Sequence, residues 1–169
     1  GNQSNQLTLN NFVIDTVQPM LTAVTQIPTP GNDNTPSFTF YSNEAGTITS
    51  SHIFTSTTSA VVGENTITFS ALGDGTYSGV WVKVTDAAGN QSNQLTLNTF
   101  VIDTTAPTLN AVTQINTPGN DNTPSFKFSS NEVGIITSSH SFTSTTSAII
   151  GDNTIIFSAL GDGTFSGVW

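Results

Sequence analysis

Apolar and polar residues alternate in short runs along this chain of 169 residues. The runs SFTFYS (37–42) and TITFSA (66–71) place an apolar or aromatic side chain at every second position. That period is typical of a β-strand with one buried face. No segment shows the 3.6-residue period of an amphipathic helix. The pattern therefore predicts an all-β chain.

Turn-forming residues separate these runs. PTPGNDNTP (28–36), NEAG (43–46), GEN (63–65) and LGDG (72–75) favour turns, because proline, glycine and Asx residues end strands and stabilise tight bends. The intervening sequence predicts strands at 21–27, 37–42, 47–54, 66–71, 76–85 and 94–102, with a short run, SAVV, at 59–62. About seven short strands of this kind predict an antiparallel β-sandwich.

The chain also contains an internal repeat. Its first ten residues, GNQSNQLTLN, return at 89–98, and a shift of 88 residues aligns 1–81 with 89–169 without a gap and with 16 differences. Solenoid units span only about 20–50 residues, so this period predicts whole domains in series. DTVQP (15–19) and DTTAP (103–107) are the predicted linkers. We therefore expect the last strand of a preceding repeat at 1–15, a complete repeat at 16–103, and a repeat truncated in its sixth strand at 104–169.

The net charge of the chain limits the binding partners that we expect. Eleven acidic residues and two lysines give a formal net charge of −9, which opposes binding to nucleic acids and to anionic membranes. We expect no nucleic-acid partner and no direct membrane insertion, since no run approaches about 18 apolar residues. The chain has no cysteine, which excludes disulfides and thiolate metal sites. The acidic residues stand mostly singly in predicted loops, where they can act as ligands for a divalent cation.

Motifs in every part of the period resemble those of one protein family. LGDGTYSGVWVKVTDAAGN (72–90), followed by FVIDTTAP (100–107), resembles the bacterial immunoglobulin-like repeats of very large surface adhesins, and NDNTP and SNEAG also match. The resemblance implies tandem immunoglobulin-like sandwiches with an 88-residue repeat. It also implies an extracellular location on the bacterial surface and calcium sites near the junctions between repeats.

Sandwich topology predicts that several acidic residues meet at one end of the complete repeat. Successive connections alternate between the two ends of the sandwich. The linker before the first strand, the turn between the second and third strands, and the turn between the sixth and seventh strands therefore share one end. They carry Asp15, Asn43 with Glu44, and Asp86 with Asn90. Carboxylate and amide oxygens from separate loops suit Ca²⁺, and the resemblance carries that role to Asp15, Glu44 and Asp86. The alternative is that Asp15 and Asp86 only cap turns through side-chain hydrogen bonds.

Other acidic residues are candidate metal ligands in the next repeat and at the opposite end of the complete repeat. Asp103 and Glu132 are the equivalents of Asp15 and Glu44 in the next repeat, whereas the equivalent of Asp86 would follow Trp169. At the opposite end, Asp33 and Asp74 could approach Asp103 and hold a second ion. The alternative for these residues is turn formation.

The strand before the last turn separates its side chains between two faces. Val80, Val82 and Val84 share one face, which leaves Trp81 and Lys83 on the other. If the valines face the core, Trp81, which is repeated as Trp169, is a candidate for a lateral contact or a ligand platform. The alternative is that Trp81 lies flat against a neighbouring strand or against the Ser/Thr stretch.

The remaining polar residues indicate structure rather than catalysis. Tyr77 is placed to donate its hydroxyl to nearby backbone, as in the tyrosine corner of immunoglobulin-like sandwiches, and Phe165 replaces it in the second repeat. His52 and His140 lack a second histidine or cysteine at metal-ligand spacing, so we expect surface histidines. We predict no enzymatic activity.

Three functions remain open on the sequence. The first is a spacer of a large bacterial adhesin, stiffened by calcium, whose partners are the neighbouring repeats of the same chain. The second is a filament or sheath in which identical chains associate by strand addition or lateral packing. The third is a carbohydrate- or protein-binding module, because the fold alone does not determine function.

Overall fold

A computed structural model describes all 169 residues, and the chain divides into two compact units, Gly1–Thr105 and Ala106–Trp169. Every regular element is a β-strand, which confirms the predicted all-β class. No helix in the structure has the length and hydropathy needed to cross a lipid bilayer.

Unit 1 contains nine strands in antiparallel sheets. They are β1 (Leu21–Ala23), β2 (Ser37–Ser42), β3 (Gly46–Ser50), β4 (Ser59–Ala60), β5 (Gly63–Thr68), β6 (Gly75–Tyr77), β7 (Trp81–Thr85), β8 (Leu95–Thr96) and β9 (Phe100–Ile102). One sheet has the order β1-β2-β5, a second has the order β4-β3-β7-β8, and β6 pairs with β9. The first two sheets contribute to one core, as expected for a sandwich.

Apolar side chains at alternate positions of the strands form that core. Phe38 and Phe40 of β2 are fully buried, and Val82 and Val84 of β7, with the preceding Val80, are likewise buried. Trp81 and Lys83 lie on the other face and are half-buried, as the pattern predicts. The Lys83 ammonium lies 5.2 Å from the centre of the Trp81 ring, a cation–π geometry that covers part of the indole.

Two predicted strands are each divided in the structure. The run 76–85 separates into β6 and β7 because Gly79 adopts a left-handed conformation, with φ 67°, which ends the extended backbone. The run 94–102 separates into β8 and β9, and between them the Asn98 side chain accepts from Ile27 N (3.1 Å) and donates to Ile27 O (3.0 Å). The last hairpin therefore consists of two separately paired segments, β7 with β8 and β6 with β9.

The predicted GEN turn is wrong. Residues 63–65 belong to β5, and the chain reverses at Val61 and Val62 instead. The buried Asn65 side chain accepts from Val61 N and donates to the backbone oxygens of Val61 and Gly63, at 2.8–3.0 Å. A side chain thus closes the turn that local propensity placed two residues later.

Unit 2 repeats the first five strands of unit 1, each 88 residues further along. They are β10 (Leu109–Thr113), β11 (Ser125–Ser130), β12 (Gly134–Ile135), β13 (Ser147–Ala148) and β14 (Gly151–Ile156). Its smaller core is formed by Phe128, Ile155 and Phe157. Residues 1–18 form no strand and are exposed. The repeat boundaries at 15/16 and 103/104 stay predictions.

Tyr77 forms the expected backbone contact. Its hydroxyl donates to Gly73 O at 2.9 Å, and its ring stacks on buried Phe100 with 5.3 Å between ring centres. His52 is half-buried rather than a simple surface residue, because its ring contacts Tyr77 edge-on, with 5.7 Å between centres. Tyr77 therefore joins the LGDG loop to the core.

Asp74 of the same loop anchors the segment that leaves unit 1. Asp74 Oδ1 accepts from Thr104 N (2.9 Å) and Thr104 Oγ1 (2.7 Å), and Oδ2 accepts from Thr105 Oγ1 (2.7 Å). These bonds, the Thr104 hydroxyl first, hold the pKa of Asp74 below its ordinary value, and partial desolvation opposes them. Asp33 bonds within its own turn, to Thr35, which matches the turn-forming alternative.

We predict that Tyr77→Phe lowers the free energy of unfolding of unit 1 by about 1 kcal/mol, the usual value of one lost hydrogen bond. Chemical denaturation of the full chain measures this loss. The control is Tyr41→Phe, because Tyr41 is exposed and its hydroxyl has no hydrogen-bond partner. Equal stability of the two variants would contradict the role of Tyr77.

We predict that Thr105→Val, which copies the natural Val17 of the first linker, raises the pKa of Asp74 toward its ordinary value. A carboxyl whose pKa is lowered by folding contributes stability above its unfolded pKa, and that stability is lost as pH falls through the folded pKa. The variant should therefore begin to lose this anchor at a higher pH during acid titration. Carboxyl-carbon NMR of Asp74 measures both pKa values, and identical titrations would contradict the anchor.

Candidate metal centre

Three carboxylates from three separate segments of unit 1 meet at one end of the sandwich. Asp15 lies in the segment that enters the unit, Glu44 in the turn between β2 and β3, and Asp86 in the turn between β7 and β8. One carboxylate oxygen from each lies within 4.8 Å of the others. The structure thus brings together the three residues that topology places at the same end.

Hydrogen bonds of Asn43 and Ser42 hold the turn that carries Glu44 in place. Asn43 Oδ1 accepts from Met20 N at 2.6 Å, and Asn43 N donates to Met20 O at 3.3 Å. Buried Ser42 donates its hydroxyl to Glu44 O at 2.6 Å. These bonds join the entering segment to the β2–β3 turn and leave the Glu44 carboxylate without a hydrogen bond inside the protein.

Gly46 allows this turn to approach the end of β7. A Cβ atom at position 46 would collide with the backbone oxygen and carbon of Thr85 and with the side chain of Val84. Only glycine leaves enough room there. Since Asp86 directly follows Thr85, the close approach brings the Glu44 turn next to the Asp86 turn.

Hydrogen bonds also fix Asp86. Its Oδ1 accepts from Ala88 N (2.9 Å) and Asn90 N (2.8 Å), and its Oδ2 accepts from Asn90 Nδ2 (2.9 Å). Asn90 Nδ2 also lies 3.1 Å from Asp15 O, to which it donates. Asn90 therefore presents its amide nitrogen to the cluster and positions Asp15 against Asp86, rather than offering the side-chain oxygen expected of a calcium ligand.

The turn-capping alternative is compatible with the cluster. Asp15 Oδ1 accepts from Val17 N at 3.0 Å, so both Asp15 and Asp86 do cap turns. Each carboxylate oxygen has two lone pairs. The two capping residues can therefore keep these bonds and still offer oxygens to a cation.

No basic side chain balances this negative charge. Lys83 Nζ lies 3.4 Å from Gln91 Oε1, and Lys127 pairs in unit 2 with Asp152 at 3.9 Å. The hydrogen bond from the Asn90 side chain lowers the pKa of Asp86, with partial desolvation opposing it and backbone N–H groups supporting it. A cluster of ionised oxygens with no nitrogen or sulfur ligand suits a hard divalent cation such as Ca²⁺.

The other candidate residues are placed as follows. Asp103 lies in unit 1, where its N donates to Gly31 O at 2.9 Å and its Oδ1 accepts from Thr105 N at 3.2 Å. Glu132 lies in unit 2 beside Asn131, which donates to Glu132 Oε1 at 3.4 Å. Asp74 bonds to Thr104 and Thr105 and makes no bond to Asp103. Trp81 is half-buried, and Trp169 is exposed.

One group that positions the site was not predicted in that role. Asn43 was expected only as part of the Glu44 turn, whereas its side chain holds the segment before β1 by accepting from Met20 N. Its equivalent Asn131 makes the same bonds to Thr108 in unit 2, at 2.6 and 3.3 Å. The signal available was the repeated SNE triplet, in which an Asx residue precedes the acidic one at the same turn.

Comparison with known proteins gives one match. A family model described as bacterial Ig-like domain matches residues 8–104, more than half of the chain. Neither the curated proteins nor the solved structures contain a match. Domains of this family commonly occur in surface proteins and are typically non-enzymatic. With its all-β structure, the match shows that the chain belongs to the bacterial Ig-like domain family.

Proposed function

We propose that this chain is a spacer segment of a large bacterial surface adhesin, and that Ca²⁺ stiffens it at Asp15, Glu44 and Asp86. The observation that carries the proposal is the cluster of three carboxylates, held within 4.8 Å and without a basic neighbour. Family membership supports a structural or spacer module at the cell surface. The adhesin context and the ion belong to the proposal.

The repeated sequence supports a role in which length matters more than recognition. Adjacent 88-residue periods differ at only 16 of 81 aligned positions. A spacer needs uniform units with stable cores, whereas recognition usually requires a distinctive surface on one unit. Unit 1 supplies such a core without a disulfide.

The proposed ion would act on the segment that enters the unit. Asp15 belongs to that segment, whereas Glu44 and Asp86 belong to turns of the sandwich body. Bound Ca²⁺ supplies a shared positive charge for these oxygens. Restricting the segment costs conformational entropy, part of which the Met20–Asn43 and Asp15–Asn90 hydrogen bonds already offset.

The carbohydrate-binding alternative receives less support. Trp81 is the aromatic residue most suited to stacking on a ligand, yet Lys83 lies over its ring at 5.2 Å and the side chain is half-buried.

We predict that Ca²⁺ raises the thermal midpoint of unit 1 and that Glu44→Gln removes most of this rise. A ligand that binds only the folded state adds about 2.7 kcal/mol at a concentration about 100 times its Kd. Because the Glu44 carboxylate has no hydrogen bond inside the protein, the substitution should leave stability in chelator unchanged or slightly higher, since one like charge is removed. Scanning calorimetry with Ca²⁺ and with chelator measures both effects.

Glu64→Gln is the matched control for this experiment. Glu64 is an exposed residue of β5 outside the carboxylate cluster, so this variant should keep the full calcium response. A wild-type midpoint unmoved by Ca²⁺ up to about 10 mM, above the weak range of extracellular calcium modules, would contradict the proposed ion. So would an equal calcium response in the wild type and the Glu44 variant.

A further inference from the structure

The chain enters and leaves unit 1 at opposite ends of the sandwich. On the entering side, Met20 bonds to Asn43 beside the carboxylate cluster. On the leaving side, Thr104 bonds to Asp74 in the loop before β6. Because β6 and β7 run from that loop to the Asp86 turn of the cluster, the two attachment regions lie at opposite ends of the unit. A load carried along the chain therefore stretches unit 1 from end to end.

Two segments that lead to these attachment regions lie side by side and run in the same direction. The first is residues 27–31, which follow β1, and the second is residues 98–103, which contain β9. Gly31 and Ile102 form a parallel β-bridge. The first segment continues from the entering end, and the second finishes at the leaving end. A pull on the chain therefore draws the two segments in opposite directions along one another.

Five hydrogen bonds join the two segments and oppose this sliding. Written from donor to acceptor, they are Ile27 N to Asn98 Oδ1 (3.1 Å), Asn98 Nδ2 to Ile27 O (3.0 Å), Val101 N to Thr29 Oγ1 (3.0 Å), Gly31 N to Val101 O (2.9 Å) and Asp103 N to Gly31 O (2.9 Å). The bonds are distributed along the whole length of both segments. We call this set of bonds the clamp.

Buried side chains on both segments reinforce the clamp. Ile27 of the first segment and Phe100 and Ile102 of the second belong to the core of unit 1. Because a close-packed interior does not deform continuously, sliding must remove these side chains from their positions while the hydrogen bonds break. On its other side β9 pairs with β6, so the same movement also disrupts that pairing.

We propose that the clamp is the mechanical lock of unit 1, which resists an end-to-end load by shear. In shear, the load acts along the segments and across their hydrogen bonds, so the bonds share the load and break together. If the segments were peeled apart from one end, each bond would carry the load in turn. A single hydrogen bond makes only a small net contribution, so the sharing of the load determines the resistance.

The clamp is separate from the proposed calcium site. The load is the one expected of a spacer, and in that respect the inference rests on the proposed function. The clamp, however, contains none of Asp15, Glu44 and Asp86. A weak clamp would leave the calcium response of the thermal midpoint unchanged, and a missing calcium response would leave the clamp intact. The two proposals can therefore fail independently.

Single-molecule force spectroscopy in two pulling directions tests the clamp on the full chain. The chain has no cysteine, so pairs of introduced cysteines define where the handles attach. Gln18→Cys with Ala106→Cys loads the clamp in shear, whereas Asn32→Cys with Ala106→Cys pulls both segments from the same end and peels them apart. All three positions are exposed. Because Gln18 follows Asp15, the load does not pass through the carboxylate cluster, and chelator is present throughout.

We expect the unfolding force at one loading rate to be at least about twofold higher in shear than in peeling, because the bonds of the clamp share the load. The bonds of Thr104 and Thr105 to Asp74 are loaded in both directions, so they do not cause the difference. Chemical denaturation of the two double variants checks that their equilibrium stabilities match. Equal unfolding forces in the two directions would overturn the proposal.

One substitution within the clamp and one outside it separate mechanical resistance from stability. Thr29→Val removes the bond from Val101 N and keeps the shape of the side chain. Tyr77→Phe also removes one hydrogen bond, to Gly73 O, which lies outside the clamp. We expect Thr29→Val to lower the unfolding force in shear by about a fifth, as one shared bond of the clamp is lost, and Tyr77→Phe to leave it unchanged. An equal reduction by both variants would contradict the clamp.

Discussion

The structure of unit 1 depends on the burial of alternate side chains between two sheets. Phe38, Phe40, Val82 and Val84 lie at every second position of β2 and β7 and are almost completely removed from solvent. The chain has neither a disulfide nor a helix to replace this packing. Because the core fixes both sheets, it also fixes the turns that leave them at 43–46 and 86–90. The carboxylate cluster is therefore a consequence of the core as much as of the loops.

Hydrogen bonds hold the carboxylate cluster in place, but no basic side chain balances its negative charge. Neutral donors position it, chiefly Asn43 on the entering segment and Asn90 between Asp15 and Asp86. Such an arrangement brings like charges together without a protein cation, which is electrostatically unfavourable unless a counter-ion is shared. At the far end of unit 1, Asp74 meets only hydroxyl and amide donors from Thr104 and Thr105. Both ends of the unit therefore hold their flanking segments through side-chain hydrogen bonds, but only the near end also gathers several carboxylates.

The sequence allowed the all-β class, the buried face of β7 and the meeting of Asp15, Glu44 and Asp86 to be predicted, because each follows from strand periodicity and alternating connections. The division at Gly79 and the turn at Val61–Val62 were not predictable in the same way. The turn depends on the Asn65 side-chain bonds to Val61 and Gly63, which backbone propensity does not contain. The glycine at 79 permits a positive φ but does not by itself require one. The partners of Asp74 were not predictable because Thr104 and Thr105 lie about 30 residues away in sequence.

A crystal structure of the full chain grown with Ca²⁺ would show whether the three carboxylates bind an ion. We expect an anomalous peak bound by oxygens of Asp15, Glu44 and Asp86 at about 2.3–2.6 Å, the usual calcium–oxygen distance. We also expect Asn43 and Asn90 to keep their hydrogen bonds to the segment that carries Asp15 and Met20. Three carboxylates turned apart into solvent, with no peak between them at millimolar Ca²⁺, would contradict the proposed calcium site.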